Sequence, residues 1–310
     1  MTRVDRHDCG VLILGAKGLL GCQLATRTLL RGTRADAPLH CWSSTELDIR
    51  DPSTVLERIL AVRPGIVLNA AAYTDVDGCE SDVERAFAVN ADGAKNVADA
   101  CRAAGSLLVH YSTDFVFDGT SKRPYRTTDA IAPISVYGRS KAAGEDAVRQ
   151  SGCDHLIVRT SWLFGPNGKN FVDTIRLRAV RDGALRVVAD QLGRPTFSVD
   201  LADATRNLID ARAKGTVHFC NSGVCSWHAL ATEIVRLTGV ACDVAPITSD
   251  ELSRPARRPA YSVLDTTEYE RITGICPRPW GDALAQYLSE GAPASRVSAA
   301  RISVERTSPV

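Results

Sequence analysis

The stretch VLILGAKGLLG, Val11 to Gly21, decides the fold of this 310-residue chain. Its four apolar residues predict a short buried strand, and glycines at a spacing of three, beginning with Gly15 and Gly18, lead directly into an amphipathic segment. Such glycines permit a tight turn and the close approach of a pyrophosphate, while the N-terminus of the following helix favours negative charge. The stretch therefore predicts a dinucleotide site, although a tight turn alone would also use these glycines.

Strands and helices alternate from this stretch onward to Arg159. Short apolar runs that are separated by longer amphipathic ones are typical of a parallel sheet covered by helices on both faces. The five predicted strands are VLILG, LHCW, GIVLNAA, LLVHYS and HLIVRTS. The sequence thus predicts an α/β fold of the Rossmann type, a doubly wound parallel sheet.

The pattern changes after the fifth strand, where shorter and more interrupted elements follow. They are too few for a second sheet of comparable size, so we predict a smaller lobe. The predicted Rossmann domain covers residues 1–165, and the chain returns to it around 198–222. The lobe, which is expected to bind the substrate, covers 166–197 and 223–290, and the Ser-, Ala- and Arg-rich residues 291–310 are predicted to form a mobile tail.

The composition narrows the class of partner. Lys plus Arg, 37 residues, nearly cancel Asp plus Glu, 36 residues, so the chain has no overall positive field to hold nucleic acid or an anionic membrane. Apolar runs stay far below the roughly 20 residues of a membrane helix, and the start of the chain lacks the apolar core of a signal peptide. The ten cysteines are scattered without a Cys-x-x-Cys pair, and the histidines show no paired metal-ligand spacing. We therefore expect a cytoplasmic protein with free thiols, a small-molecule partner and no zinc site.

The end of the second strand indicates which nicotinamide cofactor is used. An NAD site usually carries a carboxylate there, which binds the ribose 2′-hydroxyl. Here the strand ends in CWSS, 41–44, and Lys17 or Arg50 is expected to reach a 2′-phosphate. We therefore expect NADPH to be preferred, with NADH still possible because Glu46 lies nearby in the sequence.

The stretch SVYGRSK places Tyr137 and Lys141 four residues apart, on one face of a predicted helix. The lysine cation is expected to lower the pKa of the tyrosine from its usual value of about 10 and to make it a better proton donor. This proton would quench the alkoxide that forms when a hydride reaches a carbonyl carbon. Ser112 and Thr113, at the end of the fourth strand, would polarise the carbonyl. By itself the Tyr-Lys pair is a weak signal, and Ser-Thr-Asp is also typical of a helix cap or a turn.

Seven motifs together resemble a known family. The chain contains, in the order and approximate spacing of the extended short-chain dehydrogenases/reductases, GAKGLLG, NAAAYTDVD, YSTDFVF, VYGRSK, RTSWLFG, DQLGRPT and ARRP. Within that superfamily it looks most like the dTDP-4-dehydrorhamnose reductases, and the similarity runs from about Val11 to Leu264. The glycine loop and Tyr-x-x-x-Lys are common to the superfamily, whereas the combination of STDFVF, RTSW and DQLGRPT is specific to a much smaller group within it.

The motifs and the resemblance together imply a role for each matching residue. The implied catalytic residues are Thr113, Tyr137, Lys141 and, in support, Asn90. The implied cofactor-binding residues are Gly15, Lys17, Gly18, Leu19, Leu20, Gly21, Ser43, Asp48, Ile49, Ala71, Ala72, Tyr73, Thr74, Tyr111, Tyr137 and Lys141. The implied substrate-binding residues are Thr113, Asp114, Tyr137, Trp162, Gln191, Thr196 and Arg258. Core packing is the alternative for Trp162, a polar network for Asn90 and a solvated loop for Arg258.

The activity that the resemblance implies is reduction by NADPH of the 4-keto group of a dTDP-linked 4-keto-6-deoxy-L-hexulose. The product would be dTDP-L-rhamnose or a related deoxysugar nucleotide. Three alternatives stay open: a 4-ketoreductase of an antibiotic sugar pathway, a nucleotide-sugar epimerase or dehydratase, and a non-catalytic regulatory subunit like that of methionine adenosyltransferase.

One position departs from the family pattern. Some members form a dimer that is bridged by magnesium through an acidic residue just after the third glycine, where this chain has Gln23. A neutral amide is a poor ligand for a hard dication. Dependence on Mg²⁺ is therefore doubtful, while a homodimer stays possible.

Overall fold

A central parallel sheet organises the protein, whose structure, a computed structural model, describes residues 10–27 and 38–290. Within these ranges the chain forms twelve strands: β1 (Val11–Leu14), β2 (Leu39–Trp42), β3 (Ile66–Asn69), β4 (Leu107–Thr113), β5 (His155–Thr160), β6 (Leu163–Phe164), β7 (Ala184–Val188), β8 (Leu192–Gly193), β9 (Thr196–Phe197), β10 (Gly215–His218), β11 (Cys225–Ser226) and β12 (Asp243–Ile247). The predicted tail, 291–310, and the end of the first predicted helix, 28–30, lie outside the described residues.

Helices cover the sheet and build the lobe. The same ranges contain eleven of them: α1 (Leu19–Arg27), α2 (Pro52–Val62), α3 (Val76–Ser81), α4 (Val83–Phe87), α5 (Gly93–Ala104), α6 (Val136–Gln150), α7 (Phe171–Asp182), α8 (Ser198–Asp210), α9 (Trp227–Thr238), α10 (Thr267–Thr273) and α11 (Trp280–Ser289). A π-helical turn, Ala88–Asp92, joins α4 to α5 within the stretch SDVERAFAVNADGAKNVADACRAAG, whose amphipathic pattern predicts one helix. None of the described helices is both long and apolar enough to cross a membrane. The cytoplasmic location stays a prediction.

The six strands of the central sheet are all parallel and lie in the order β10, β5, β4, β3, β1, β2. The first five strands of the chain are the five predicted ones, so the predicted α/β fold is confirmed. Alternate residues of β1 face opposite sides of the sheet. Ile13 packs in one core with Leu24 of α1, whereas Leu12 packs in the other with Val55 of α2 and Val97 of α5. Burial on both faces explains why this strand is apolar throughout.

The order of the strands reverses at β1, because the chain moves to β2 on one side of it and then crosses to β3 on the other. Ligands of open α/β sheets bind outside the carboxyl ends of the strands at such a point. Gly15 follows β1 there with a φ of 74°, a conformation that favours glycine. A Cβ on Gly15 would lie 2.7 Å from the backbone nitrogen of Ala71, and one on Gly21 would lie 2.1 Å from the carbonyl oxygen of Gly15. The glycine spacing thus reflects close backbone packing around the reversal point.

The C-terminal elements form a core of their own. Helices α7 and α9 pack on the parallel pair β7 and β12, α11 packs on α9, and this core buries Leu185, Leu230 and Leu284. The chain returns to the central sheet through α8, which packs on α1, and through β10, which pairs with β5. These contacts support the division into a Rossmann domain and a substrate lobe, which stays a prediction.

Candidate active site

A cavity of about 960 Å³ lies outside the carboxyl ends of β1, β3, β4 and β5, between the central sheet and the C-terminal lobe. Most of the predicted site residues line it: Gly18, Leu19, Leu20, Ala71, Ala72, Thr74, Tyr111, Thr113, Asp114, Tyr137, Lys141, Trp162, Gln191 and Arg258. The structure therefore brings together predicted catalytic, cofactor-binding and substrate-binding residues that lie far apart in the sequence.

The other predicted site residues lie outside this lining: Gly15, Lys17, Gly21, Ser43, Asp48, Ile49, Tyr73, Asn90 and Thr196. Most of them surround the ends of β1 and β2, where the adenosine half of a dinucleotide would extend. Thr196 is different, because it is fully buried at the start of β9. Its contact with a substrate gains no support from this placement and stays a prediction.

Helix α6 carries Tyr137 and Lys141 and is held closely against its neighbours. Ser135 caps its first turn, since its Oγ accepts a hydrogen bond from the backbone N–H of Gly138 at 3.1 Å. A Cβ on Gly138 would lie 2.2 Å from the carbonyl oxygen of Phe115, directly after β4. This close approach sets the distance between the helix and the strand end that carries the Ser-Thr-Asp motif.

Asn90 links α6 to the loop after β3. Its Oδ1 accepts from the backbone N–H of Tyr73 at 2.8 Å, and its Nδ2 donates to the carbonyl oxygen of Tyr73 and to Oγ of Ser140, both at 3.0 Å. Asn90 is buried in the π-helical turn between α4 and α5. The geometry supports the polar-network alternative, in which Asn90 acts by holding α6 in place.

Lys141 points its ammonium group at the backbone of β4. Its Nζ donates to the carbonyl oxygen of Tyr111 at 2.7 Å, and only 2% of the residue is exposed. Burial lowers the pKa of Lys141 to about 8, against the smaller raising effect of the Glu145 carboxylate one turn further along α6. Because this pKa lies only slightly above neutral pH, most but not all Lys141 side chains are cations there.

A buried ion pair lies behind Lys141. Arg159 of β5 donates from Nε and Nη2 to the two carboxylate oxygens of Glu145, at 2.8 and 2.6 Å. Burial alone would raise the pKa of Glu145, but the hydrogen bonds and charge of Arg159 lower it to about 2. No sequence motif indicates this pair, whose ionised carboxylate helps keep Lys141 protonated.

The expectation that Lys141 lowers the pKa of Tyr137 is wrong for this structure. Burial raises the pKa of the phenol well above its usual value, and the neighbouring Thr113 hydroxyl offsets this only in part. The Lys141 ammonium group is directed instead at the carbonyl oxygen of Tyr111. Tyr137 is therefore held as a neutral phenol, the form that donates a proton.

Asp114 follows Thr113 at the end of β4. Thr113 donates from Oγ1 to Oδ1 of Asp114 at 3.0 Å, while Oδ2 of Asp114 is buried without a hydrogen-bond partner among the described residues. Burial raises the pKa of Asp114 to about 6, and the neighbouring hydroxyl groups of Ser262 and Thr113 oppose this shift. Asp114 is a lining residue of the cavity, and an unpaired carboxylate oxygen is suited to accept a hydrogen bond from a hydroxyl group.

Two stacked indole rings line the lobe side of the cavity. The rings of Trp162 and Trp227 are parallel to within 9°, and their centroids lie 3.6 Å apart. Gly193 leaves room for them, because a Cβ there would lie 2.4 Å from Cε2 of Trp162. Gln191 accepts from Nε1 of Trp227 at 3.2 Å. Trp162 and Gln191 were predicted from the sequence as substrate-binding residues. Trp227 was not, because it lies outside the recognised motifs.

The outer end of the cofactor site contradicts part of the argument for NADPH. Oε2 of Glu46 accepts from the backbone N–H and from Oγ of Ser43, at 2.8 and 2.7 Å, so a carboxylate does lie at the end of β2. Arg50 is paired with Asp48, with Nη2 and Oδ2 2.6 Å apart. Hydrogen bonds from Ser43 lower the pKa of Glu46, and the nearby charge of Lys17 adds to this effect. Lys17 therefore lies close to the predicted 2′-phosphate position, whereas Arg50 is already engaged.

The glycine loop fits the pyrophosphate of a dinucleotide. A Cβ on Gly18 would lie 3.2 Å from the carbonyl oxygen of Gly15, so a side chain there would crowd the tight turn of the loop. Leu19 and Leu20 bring the first turn of α1 to the cavity, where helix N–H groups suit negative charge. Further along α1, Gln23 is 6% exposed. The expectation that Gln23 is a poor ligand for Mg²⁺ stays a prediction.

The model of the family described as RmlD substrate binding domain matches residues 9–292. The chain belongs to this family. It is 43% identical over 284 residues to a dTDP-4-dehydrorhamnose reductase of Streptomyces griseus, a match that covers 89% of this chain and 91% of that protein. It is 41% identical over 281 residues to the probable dTDP-4,6-dihydroxy-2-methyloxan-3-one 4-ketoreductase of Streptomyces antibioticus, a match that covers 89% of this chain and 93% of that protein. The crystal structure of dTDP-4-dehydrorhamnose reductase from Bacillus anthracis in complex with NADP is similar with a TM-score of 0.85 and 37% identity, over 91% of this chain and 99% of that one.

These likenesses confirm the family resemblance that the motifs indicated. They also confirm the Rossmann-type fold of the extended short-chain dehydrogenases/reductases and the prediction of an oxidoreductase. The glycine loop and the solved NADP complex agree on a nicotinamide dinucleotide as the cofactor.

Proposed function

We propose that the protein uses NADPH to reduce the 4-keto group of a dTDP-linked 4-keto-6-deoxy-L-hexulose, giving dTDP-L-rhamnose or a related deoxysugar nucleotide. The observation that carries the proposal is the meeting of Thr113, Tyr137 and Lys141 on one side of a cavity whose other side presents stacked indoles and arginines. The first set suits carbonyl reduction, and the second suits a ligand with flat and anionic parts. The names of the similar reductases support the same substrate class.

Tyr137 is the proposed proton donor. NADPH, when bound, supplies the hydride that reduces the carbonyl carbon. Tyr137 then gives its phenolic proton to the carbonyl oxygen, and its raised pKa does not prevent this, because an alkoxide is a much stronger base than a phenolate. Lys141 has N–H donors besides the one that binds the Tyr111 carbonyl oxygen, so it is placed to hold a ribose hydroxyl beside the phenol.

Thr113 and Asp114 are proposed to orient the sugar. The Thr113 hydroxyl donates to Asp114 in this structure and can turn towards the carbonyl oxygen of a substrate. Asp114 then accepts a hydrogen bond from a sugar hydroxyl next to the keto group through its unpaired Oδ2. Ionised Asp114 is the stronger acceptor for this contact.

The nucleotide part of the substrate is proposed to supply most of the binding energy. A free sugar offers only hydroxyl groups, whereas a dTDP sugar adds a base and a diphosphate that Trp162, Trp227 and Arg258 suit. Binding energy from such remote groups positions the carbonyl against Thr113 and Tyr137. We therefore expect almost no reduction of the same keto sugar without its nucleotide.

The test is to incubate the purified protein with NADPH and a small panel of dTDP-linked 4-keto-6-deoxy sugars, each beside its free keto sugar. We expect NADPH to be consumed in proportion to product with a dTDP-linked sugar, and the configuration at C4 to be given by NMR of the product. Comparable efficiency with the free keto sugar, or preference for a non-sugar ketone over all dTDP sugars, would contradict the proposal.

The same panel separates the alternatives. The likeness to the 4-ketoreductase of Streptomyces antibioticus favours a related sugar as the second candidate substrate, which product NMR identifies. An epimerase or dehydratase would change the sugar without net consumption of NADPH. A non-catalytic subunit would turn over none of the sugars.

A further inference from the structure

Asp77, in the short helix α3, binds the arginine-rich loop of the lobe with both carboxylate oxygens. Its Oδ1 accepts from Nη1 of Arg258 at 3.1 Å and from the backbone N–H of Ala256 at 3.2 Å. Its Oδ2 accepts from Nη2 of Arg258 at 2.9 Å and from Nη1 of Arg254 at 3.3 Å. One carboxylate of the Rossmann half therefore holds two guanidinium groups and a backbone N–H of the lobe.

The two guanidinium groups repel each other. Burial lowers the pKa of Arg254, and the charge of Arg258 lowers it further, while the charge and hydrogen bond of Asp77 act in the opposite direction. The pKa of Asp77 is itself lowered, since the hydrogen bonds from Arg258 and the lobe backbone outweigh the raising effect of burial. Asp77 thus stabilises an arrangement of two like charges that would otherwise separate.

Both arginines line the cavity, whereas Asp77 lies behind them and outside its lining. Arg257 and Asp250 line the cavity beside them, so three arginines and two carboxylates leave a net positive charge at this end of the cavity. A guanidinium has more N–H donors than these contacts use, so both side chains keep donors for a ligand. N–H groups from two neighbouring arginines suit the oxygens of a diphosphate.

Helix α3 is also fixed to the catalytic helix. Oε1 of Glu80, one turn after Asp77, accepts from the backbone N–H of Val136 at 2.7 Å, at the first residue of α6. Cys79 between them is buried in a small core with Val136, against which Tyr137 packs. The same short helix thus contacts the arginines on one side and the start of the Tyr137 helix on the other.

We propose that Asp77 is a positioning residue that holds Arg254 and Arg258 side by side for the diphosphate of a nucleotide-linked substrate. The inference rests on the proposed function, because it takes a nucleoside diphosphate as the anionic part of the ligand. Since α3 also contacts α6, the position of the diphosphate is fixed relative to Tyr137.

The opposite role for Asp77 predicts the opposite change in diphosphate affinity when Asp77 is replaced. A carboxylate that merely occupied the arginines until a substrate displaced it would weaken diphosphate binding, and its removal would tighten that binding. The structure favours positioning, because Asp77 leaves guanidinium donors free and lies outside the cavity lining.

The test is to titrate dTDP, thymidine and NADPH separately into the full-length protein by calorimetry, with Asp77→Asn, Asp77→Glu and a control, Asp82→Asn. Asp82 is an exposed carboxylate that caps α4, and asparagine is also a good cap. We expect Asp77→Asn to weaken dTDP binding at least about tenfold and to raise KM for the keto sugar by a similar factor, because charge-assisted contacts lose their order. The value of kcat and the affinities for thymidine and NADPH should stay close to those of the wild type. Asp77→Glu should restore part of the dTDP affinity, and Asp82→Asn should change none of these values.

Three results would overturn the inference while leaving the proposed function intact. They are unchanged dTDP binding in Asp77→Asn, tighter dTDP binding in that variant, and an equal loss of dTDP, thymidine and NADPH binding, which a general structural defect would produce. A wild-type protein that binds no dTDP and reduces no nucleotide-linked keto sugar would overturn the proposed function and this inference together.

Discussion

The sheet wall of the cavity includes Thr113, Asp114, Tyr137 and Lys141, whereas the lobe wall includes Trp162, Gln191, Trp227, Arg254 and Arg258. Contacts with backbone groups hold much of the sheet wall: Lys141 donates to a carbonyl oxygen of β4, and Thr113 accepts from the N–H of Phe115. Side chains hold the lobe wall, where the indoles stack on each other and Arg258 binds Asp77. The geometry of the sheet wall therefore follows from the fold itself, whereas that of the lobe wall depends on a few exchangeable side chains.

This difference separates chemistry from recognition. The parallel sheet brings β4 and α6 together whatever the substrate, so the sheet wall suits a reaction step that many related enzymes share. Stacked rings and paired guanidinium groups are suited to distinguish one ligand from another. Changes in the sheet wall are thus expected to lower kcat, and changes in the lobe wall are expected to raise KM.

The largest expected effect is that of Tyr137→Phe. Loss of the proton donor should lower kcat by about 10²- to 10⁴-fold, the usual contribution of general acid catalysis. Binding of NADPH should stay nearly unchanged, because the phenol ring is kept. Steady-state kinetics with a dTDP-linked keto sugar, together with titration of NADPH, measure both values.

Lys141→Ala is the matched comparison on the same wall, and it should damage both turnover and cofactor binding. Substantial turnover by Tyr137→Phe would mean that another group donates the proton. If either variant showed an increase in KM without a loss of kcat, the distinction between the two walls would not hold.

Trp227→Ala should have a smaller effect and a different kind of effect. Its indole stacks on Trp162 at 3.6 Å and is held by Gln191, so its removal leaves the Trp162 ring without a partner. We expect KM for the nucleotide sugar to rise about 30-fold, the cost of losing a well-packed aromatic contact, with kcat changed much less. Trp227→Phe is the control, since it keeps an aromatic ring and should recover most of the affinity. A loss of kcat with constant KM would place Trp227 in the chemical step.

Asp114 tests whether the two walls are independent, because it belongs to the sheet wall and is expected to act on KM. Its pKa is raised to about 6, so the carboxylate that accepts a sugar hydroxyl is lost as the pH falls through that value. We expect KM to rise about tenfold by about pH 5, as one proton is taken up per site. Asp114→Asn should remove this dependence, and a KM that rises equally in the variant would assign the titration to another group.

The same pKa gives the opposite sign for stability. A carboxyl group with a raised pKa binds its proton more tightly in the folded protein than in the unfolded chain. Its contribution to the free energy of unfolding is therefore fully present below its unfolded pKa and is lost as the pH rises through about 6. Relative to Asp114→Asn, the wild type should lose stability over the pH range in which its substrate affinity improves.

The sheet wall could be predicted from the sequence to a greater extent than the lobe wall. Alternating apolar and amphipathic runs determine a parallel sheet, and its strand ends must meet, so Thr113 and Tyr137 were expected at one site. Trp227 begins a helix outside the recognised motifs, and a single aromatic residue is more often part of a core. Only the folded chain places it on Trp162.

Helix α3 was missed for a related reason. Its six residues are too few to show helical periodicity, and they follow the predicted strand GIVLNAA in a stretch that the sequence pattern assigns to no strand or helix. Two signals were present in the sequence: Asp75, which caps the helix by accepting from the N–H of Gly78, and the carboxylates Asp77 and Glu80 three residues apart. Neither signal indicates the partners of the carboxylates, Arg258 and the start of α6, because those contacts are long-range.

The smallest expected effect concerns the cofactor end, which lies outside both walls. Lys17→Ala should lower the preference for NADPH over NADH about fivefold, since an exposed, screened lysine makes only a modest contact with a 2′-phosphate. Arg50→Ala should lower this preference less than about twofold, because the Arg50 guanidinium is already paired with Asp48. Replacing one exposed ion pair by another changes the binding free energy little. The ratio of kcat/KM for the two cofactors measures the effect, and kcat at saturating NADPH should not change. Glu46→Gln should raise the ratio, because the Glu46 carboxylate at Ser43 repels a phosphate. An equal effect of the two cation variants would mean that Arg50 leaves Asp48 to bind the phosphate, and equal efficiency of the wild type with both cofactors would contradict the preference itself.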